Sequence, residues 1–234
     1  MPRSTLSALV PIALFAGGCA GGTDDDRDGA KGGSETGDGT DGAGQGGTDC
    51  GDYSGFLRVG TTWTYEIDGS PTPYPIRLTA LEADSVERVA SVEIDAGGIQ
   101  TEMTVTETDH CIDGAWYQDG AESITSTTRD GETTERTSSI TYDGGCMVLP
   151  ATLEVGQTWT VNCSLTSVDD SGTQTAEAEM QYEVLAEESV AVEAGTYMAM
   201  AVSQSADSQE ITMWFAEDVG LLQSDELTLT AFSP

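Results

Sequence analysis

The sequence predicts an all-β chain, a single antiparallel meander curled into an open or half barrel and preceded by a leader and a linker. Three observations carry this. Apolar residues alternate with polar ones at period two along most of residues 53–234. Asp-Gly and Gly-Gly pairs punctuate that alternation at short intervals. No segment shows a sustained helical stripe, and a short turn over 54–57 is the best helical candidate. Alternation of this kind belongs to antiparallel strands with one face packed and one face wet.

The elements follow in chain order. Residues 1–18 read as a signal peptide. Arg3 gives a positive start, Leu6 to Phe15 an apolar run, and Ala16-Gly17-Gly18 the small residues that precede a cleavage point. An apolar run of about ten residues falls well short of the roughly 20 that cross a bilayer.

Residues 19–52 read as a tether. From Ala20 to Asp52 there is no Val, Ile, Leu, Met, Phe, Trp or Tyr. Such a stretch has too little apolar surface to offset ordering entropy, and its glycine-rich, acidic composition favours an extended, self-repelling coil. Within it Asp24, Asp26, Asp28, Gly29 and Glu35 match the template of a calcium-binding loop. Lys31 occupies a position that is normally aliphatic, and no amphipathic helix flanks the loop. Chance matching in an Asp/Gly-rich linker is the better reading, and no metal or other cofactor is expected.

Residues 53–234 read as one β domain of roughly ten to twelve strands. Trp63, Tyr65 and Ile67 alternate with Thr62, Thr64 and Glu66. Trp159, Val161, Cys163 and Leu165 alternate with Thr158, Thr160, Asn162 and Ser164. Ile211, Met213 and Phe215 repeat the pattern, as do Leu227 and Leu229. Turns are expected at Asp68-Gly69, Gly97-Gly98, Asp113-Gly114, Asp119-Gly120, Asp130-Gly131, Asp143-Gly144 and Ser171-Gly172. A meander this long must curl to cover its apolar face. The segment Leu57–Thr64 resembles Leu153–Thr160 at an offset of 96 residues. Two duplicated lobes would explain this, and so would repeated use of one strand-start motif within a single sheet.

Charge narrows the function. The chain carries 41 acidic and 8 basic side chains, a net charge of −33. A surface this anionic repels nucleic acid and acidic headgroups alike. The 32 acids of the β domain face five bases, all arginines. Adjacent carboxylates such as Asp169-Asp170 and Glu187-Glu188 could in principle serve glycoside hydrolysis, but a solvated face is the default at this acid density. No Gly-x-Ser-x-Gly elbow, phosphate loop or dinucleotide fingerprint is present. The single histidine, His110, reads as a solvated loop residue. Trp63, Trp116, Trp159 and Trp214 could line a groove, but at alternating positions they read better as core. The expectation is a non-enzymatic chain.

Four cysteines remain after Cys19, namely Cys50, Cys111, Cys146 and Cys163, and an even number in an exported chain suggests two disulfides. Three pairings are open. The short loop favours Cys146 with Cys163, leaving Cys50 with Cys111 to staple the tether to the domain.

Two resemblances extend these readings. Ala16-Gly17-Gly18-Cys19 resembles the lipobox of bacterial lipoproteins, with Ala16 in place of the usual leucine. That resemblance implies that Cys19 is acylated, that cleavage occurs before it, and that the mature chain is held in a bilayer by its lipid. Ala20 and Gly21 stand where an aspartate would signal inner-membrane retention, so the resemblance implies an outer-membrane or cell-surface destination. Further on, Ala194-Gly195-Thr196-Tyr197 and Trp214-Phe215-Ala216-Glu217-Asp218-Val219-Gly220-Leu221 look like strand and hairpin motifs of bacterial envelope proteins related in architecture to lipoprotein localisation factors. Covering mainly 145–225, this implies a curved sheet forming an unclosed barrel with a concave face that accepts lipid. Two functions are therefore expected: a lipid-anchored domain that binds an envelope protein or plays a structural role, or a carrier of an apolar ligand.

Overall fold

The computed structural model describes residues 59–68, 73–81, 85–96, 98–206 and 209–234. Every regular element among them is a strand. In order these are β1 (Thr62–Ile67), β2 (Pro73–Leu81), β3 (Ser85–Ala96), β4 (Ile99–Ile112), β5 (Ala115–Arg129), β6 (Glu132–Leu149), β7 (Thr158–Asp169), β8 (Gly172–Val192), β9 (Gly195–Ala206), β10 (Gln209–Ala216), β11 (Gly220–Ser224) and β12 (Leu227–Ser233). Each pairs antiparallel with its neighbour in sequence, as a meander requires.

The sheet closes completely where an open or half barrel was expected. β1 pairs with β12 from Thr62 opposite Ser233 to Ile67 opposite Leu227, so the first and last strands satisfy each other's edges. Closure removes unpaired backbone groups that an open sheet would leave at both ends. The helical turn expected over 54–57 lies outside the described residues.

The hairpins follow from the turn chemistry. Asp113-Gly114 and Asp130-Gly131 each form a two-residue loop with φ positive at both positions, the geometry that matches strand twist. At the β7–β8 turn Asp169 Oδ1 accepts hydrogen bonds from Ser171 N and Ser171 Oγ. Those bonds hold the Asp169 carboxyl below its usual range.

Two Asp-Gly pairs are not turns. Asp119 is an extra residue within β5, because Asp109 pairs with Gln118 and Thr108 with Gly120. Asp143-Gly144 lies in a bulge of β6, where Thr141 opposes Gly120 and Cys146 opposes Gln118. Gly144 and Gly145 supply the left-handed φ values of 75° and 79° that the excursion needs. Gly120 serves close approach instead, since a Cβ there would strike the Ile140 carbonyl oxygen of β6. Gly120→Ala is expected to cost about 1–3 kcal/mol by forcing β5 from β6, measurable as a lowered urea midpoint.

The faces sort by polarity. On β7 and β8 the buried Val161, Cys163, Met180 and Tyr182 point inward, while Thr160, Asn162, Glu179, Gln181 and Glu183 face solvent. A barrel that spans a membrane reverses this arrangement, with apolar residues outside. No helix among the described residues is long and apolar enough to cross a membrane either.

Inside, two apolar clusters form. One gathers Trp63, Tyr65, Leu222 and Leu229; the other gathers Leu149, Met180, Val184 and the Cys146–Cys163 disulfide. The wall is thin at two places. β6 and β7 pair only from Ser139 to Tyr142, and β11 and β12 pair only at Gln223 and Thr228. The barrel is thus a five-stranded sheet, β7–β11, joined to a seven-stranded one along two narrow seams. The disulfide bridges β6 and β7 beyond the end of their ladder, with Cα atoms 5.5 Å apart.

A bulge at Leu185 puts one extra residue into β8 opposite a regular β9. Val184 pairs with Val202, but Ala186 pairs with Ala201, so the facing of β8 switches there. Before the bulge, Met180, Tyr182 and Val184 are buried with the disulfide cluster. After it, Val190, Val192 and Tyr197 pack on the Trp63 cluster, and Ser189, Ala191 and Met198 turn to solvent. β8 consequently touches β11 and β12, strands with which it does not pair.

The repeated tryptophan segments begin β1 and β7, which lie diametrically opposite in the ring of twelve. Each follows a glycine of left-handed φ, Gly60 or Gly156. The strands that follow differ greatly in length, with β2 at 9 residues and β8 at 21. That difference favours reuse of a strand-start motif.

Candidate functional site

The densest chemistry among the described residues lies inside the barrel on β3, β4 and β5. The inward face of β3 runs Val86, Arg88, Ala90, Val92, and that of β4 runs Val105, Glu107, Asp109. Pairing sets Arg88 opposite Glu107 and Val86 opposite Asp109, so one guanidinium meets two carboxylates from successive inward positions. Arg88 Nη2 lies 3.2 Å from Glu107 Oε2, and Arg88 Nε donates to Asp109 Oδ2 at 2.9 Å. The guanidinium carbon sits 4.9 Å from the Trp116 ring centre, a cation–π contact supplied by β5. Side-chain exposure is 12% for Arg88, 5% for Glu107 and 0% for Asp109.

Burial and pairing pull these groups in opposite directions. Burial works against the Arg88 charge, but Asp109 and Glu107 outweigh it and hold the guanidinium protonated. Burial pushes the Asp109 carboxyl above its usual range, against the pull of Arg88 and the Trp116 indole. Tyr142 on β6 is pushed up to about 12 by burial and by the Glu107 charge. Tyr65, whose hydroxyl donates to the Leu221 carbonyl at 2.8 Å, is raised by burial as well. The arrangement pins three strands through charge. Its carboxylates are sealed from solvent, so they are poorly placed to meet a substrate.

His110 is not a loop residue. It lies within β4, half-buried, on the face opposite Asp109. Its Nδ1 is 2.7 Å from Asp119 Oδ1, and its ring stacks on Tyr117 at 5.2 Å. The bulge at Asp119 makes this pairing available, and Gly145 leaves room for the ring, since a Cβ at 145 would come within 2.6 Å of His110 Cε1.

The tryptophans divide. Trp63 is buried and donates to the Val219 carbonyl at 2.7 Å, and Trp116 is buried over Arg88. Trp159 is half-buried and stacked on Tyr182 at 4.9 Å. Trp214 is half-buried, and its Nε1 donates to Glu188 Oε1 at 2.6 Å. The adjacent carboxylates do not converge. Glu188 is held by Trp214, Asp169 closes its own turn, and Asp170 lies 3.6 Å from Arg136 at an exposed ion pair.

Cys146 and Cys163 are bonded as the loop length suggested. Cys111 is disulfide-bonded too. Cys50, its expected partner, lies outside the described residues. So do Cys19 and the calcium-loop match at Asp24, Asp26, Asp28 and Glu35. Among the described residues no group of three or more His, Cys, Asp or Glu side chains could hold a metal ion.

Sequence reasoning missed the interior triad by assigning every acid to a solvated face. The signal was nonetheless present. Arg88 stands in register with Val86, Ala90 and Val92, and Glu107 and Asp109 in register with Val105, so all three charges fall on the apolar parity of their strands.

Fold and site together define a class: a closed up-and-down barrel with a polar outer wall and an apolar interior pinned by a buried arginine and two acids. No protein-family model, curated protein or solved structure matches the chain.

Proposed function

We propose that this chain is an exported, lipid-anchored binding protein, acylated at Cys19, with residues 20–52 spacing a non-catalytic barrel from the membrane. On this reading the outer membrane or cell surface of a bacterium is its location, and Cys50 pairs with Cys111 at the junction of tether and barrel. The observation that carries the binding role is the interior triad. A carrier of an apolar ligand needs an apolar cavity, whereas Arg88, Glu107 and Asp109 put charge into the barrel beside two packed clusters. An apolar chain laid against those charges offers them no hydrogen bond. The carrier reading is therefore the weaker one, and partners must be met from outside.

The anchor is tested by radiolabelled fatty acid and fractionation of wild type and Cys19→Ser. Wild type is expected to carry label, run at the cleaved mass and sediment with membranes, while the variant loses the label and fails to be processed before residue 19. Wild type that carries no label, or a Cys19→Ser variant that is cleaved and labelled like wild type, contradicts the anchor.

A further inference from the structure

We propose that the cleft on β8, β9 and β10 beside the Leu185 bulge, at the edge of the disulfide cluster, docks a basic polypeptide segment that carries apolar side chains. This deepens the binding reading above and rests on it. The cleft is about 300 Å³, with Met198, Met200 and Phe215 toward its floor and Glu187, Glu217 and Asp218 at its edges. It lies just beyond the extra residue that Leu185 puts into β8, where Glu187 pairs with Met200 and Ser189 with Met198. Met198 lies on the same face of β9 as Met200 and Val202, which pack with the disulfide cluster, yet it is 57% exposed. An exposed, adaptable methionine beside a buried phenylalanine suits apolar side chains of varied shape.

Charge selects the occupant. From Thr137 to Pro234 the chain contains 16 acids and no lysine, arginine or histidine. The chain's own tether carries nine acids against two bases, and a second copy of this face is equally acidic, so both are repelled. A partner with lysine or arginine flanking apolar residues meets the carboxylates at the edge and the methionines within, and the wider acidic field speeds its approach.

The test uses the full chain in detergent micelles and a fluorescein-labelled peptide alternating lysine and leucine, with oligolysine of equal charge as comparison. Fluorescence anisotropy is expected to show tighter binding of the lysine–leucine peptide. Met198→Thr should weaken that peptide selectively, and Glu217→Gln with Asp218→Asn should weaken it by about tenfold. Asparagine suits position 218, whose φ is 62°. Glu177→Gln with Glu179→Gln removes the same charge from a distant part of β8 and is expected to change little. Equal loss from both double variants, or equal binding of the two peptides, reduces the effect to a general acidic field and overturns the cleft. Peptide binding that no cleft variant alters also overturns the cleft but leaves the binding role standing. No peptide binding, combined with a lipid retained by the chain in native mass spectrometry, overturns the binding role itself.

Discussion

Arg88→Met is expected to destabilise the barrel by about 3–5 kcal/mol at neutral pH, because it leaves Glu107 and Asp109 buried without their cation. The two carboxylates then repel each other in a medium that hydrates neither. The sign of the pH response separates this cause from lost packing. An acid whose folded-state pKa lies above its unfolded value binds protons more readily when folded. Its contribution to stability is greatest below the ordinary carboxylate range and is lost as pH rises through the raised value. Asp109 is already of this kind in the wild type, through burial. Without Arg88 both acids should be, so the variant should recover stability as pH falls from about 7 toward about 4, beyond any change in wild type. Urea unfolding at both pH values reads this directly. A variant within about 1 kcal/mol of wild type, with the same pH profile, removes the triad from the stability of the fold. Replacing all three residues together, Arg88→Met, Glu107→Leu and Asp109→Leu, removes charge and counter-charge at once. That variant should be far less impaired than Arg88→Met alone, as buried ion clusters replaced by apolar residues of similar volume often are.

The contrast between the wall and its contents shows what a one-dimensional pattern can carry. Period two is a local property, so the strands around Trp63, Val161, Met213 and Leu229 were readable from neighbouring residues alone. Hairpin turns were readable for the same reason at Asp113-Gly114 and Asp130-Gly131. Closure was not, because it depends on Thr62 meeting Ser233 across the whole chain, and no local signal distinguishes a final strand that pairs from one that is left at an edge. The bulges failed differently. Asp119-Gly120 and Asp143-Gly144 have the composition of turns, but in each case alternation resumes on the same strand pair afterwards, and only the register reveals it. The bulge at Leu185 has no glycine to announce it, so the shift in pairing between β8 and β9 is not legible in the sequence. The triad was legible in parity yet hidden by abundance. Where 32 acids occupy one domain, two that fall in phase with valine do not stand out until the strand faces are assigned.

Removing the Cys146–Cys163 bond, by Cys146→Ala with Cys163→Ala, is expected to cost about 3 kcal/mol for a loop of this size, with a further loss from two shortened buried side chains. The location of the bond decides how the loss is distributed. β6 and β7 share a ladder of only four residue pairs, and the disulfide is what continues their association past Tyr142. β7 and β8, by contrast, pair from Thr158 opposite Glu183 to Asp169 opposite Gly172, and Gly156 and Val184 add bonds at the end of that ladder. β7 should therefore stay with β8 and part from β6. Hydrogen exchange is expected to quicken most in the bulged stretch of β6 from Tyr142 to Cys146, while the amides between β7 and β8 keep protection close to that of wild type. Uniform loss of protection across every strand would mean that the barrel opens only as a whole, and the seam between its five-stranded and seven-stranded sheets would then have no independent weakness. The same logic makes β11 and β12 the second place to look. They meet at a single residue pair, but the Asp68 amide bonds to the Glu226 carbonyl and ties the β1 end to the turn before β12. Exchange at that seam should be unaffected by the cysteine substitutions, because the two seams lie five strands apart across β7–β11 and the bond that is lost spans only one of them.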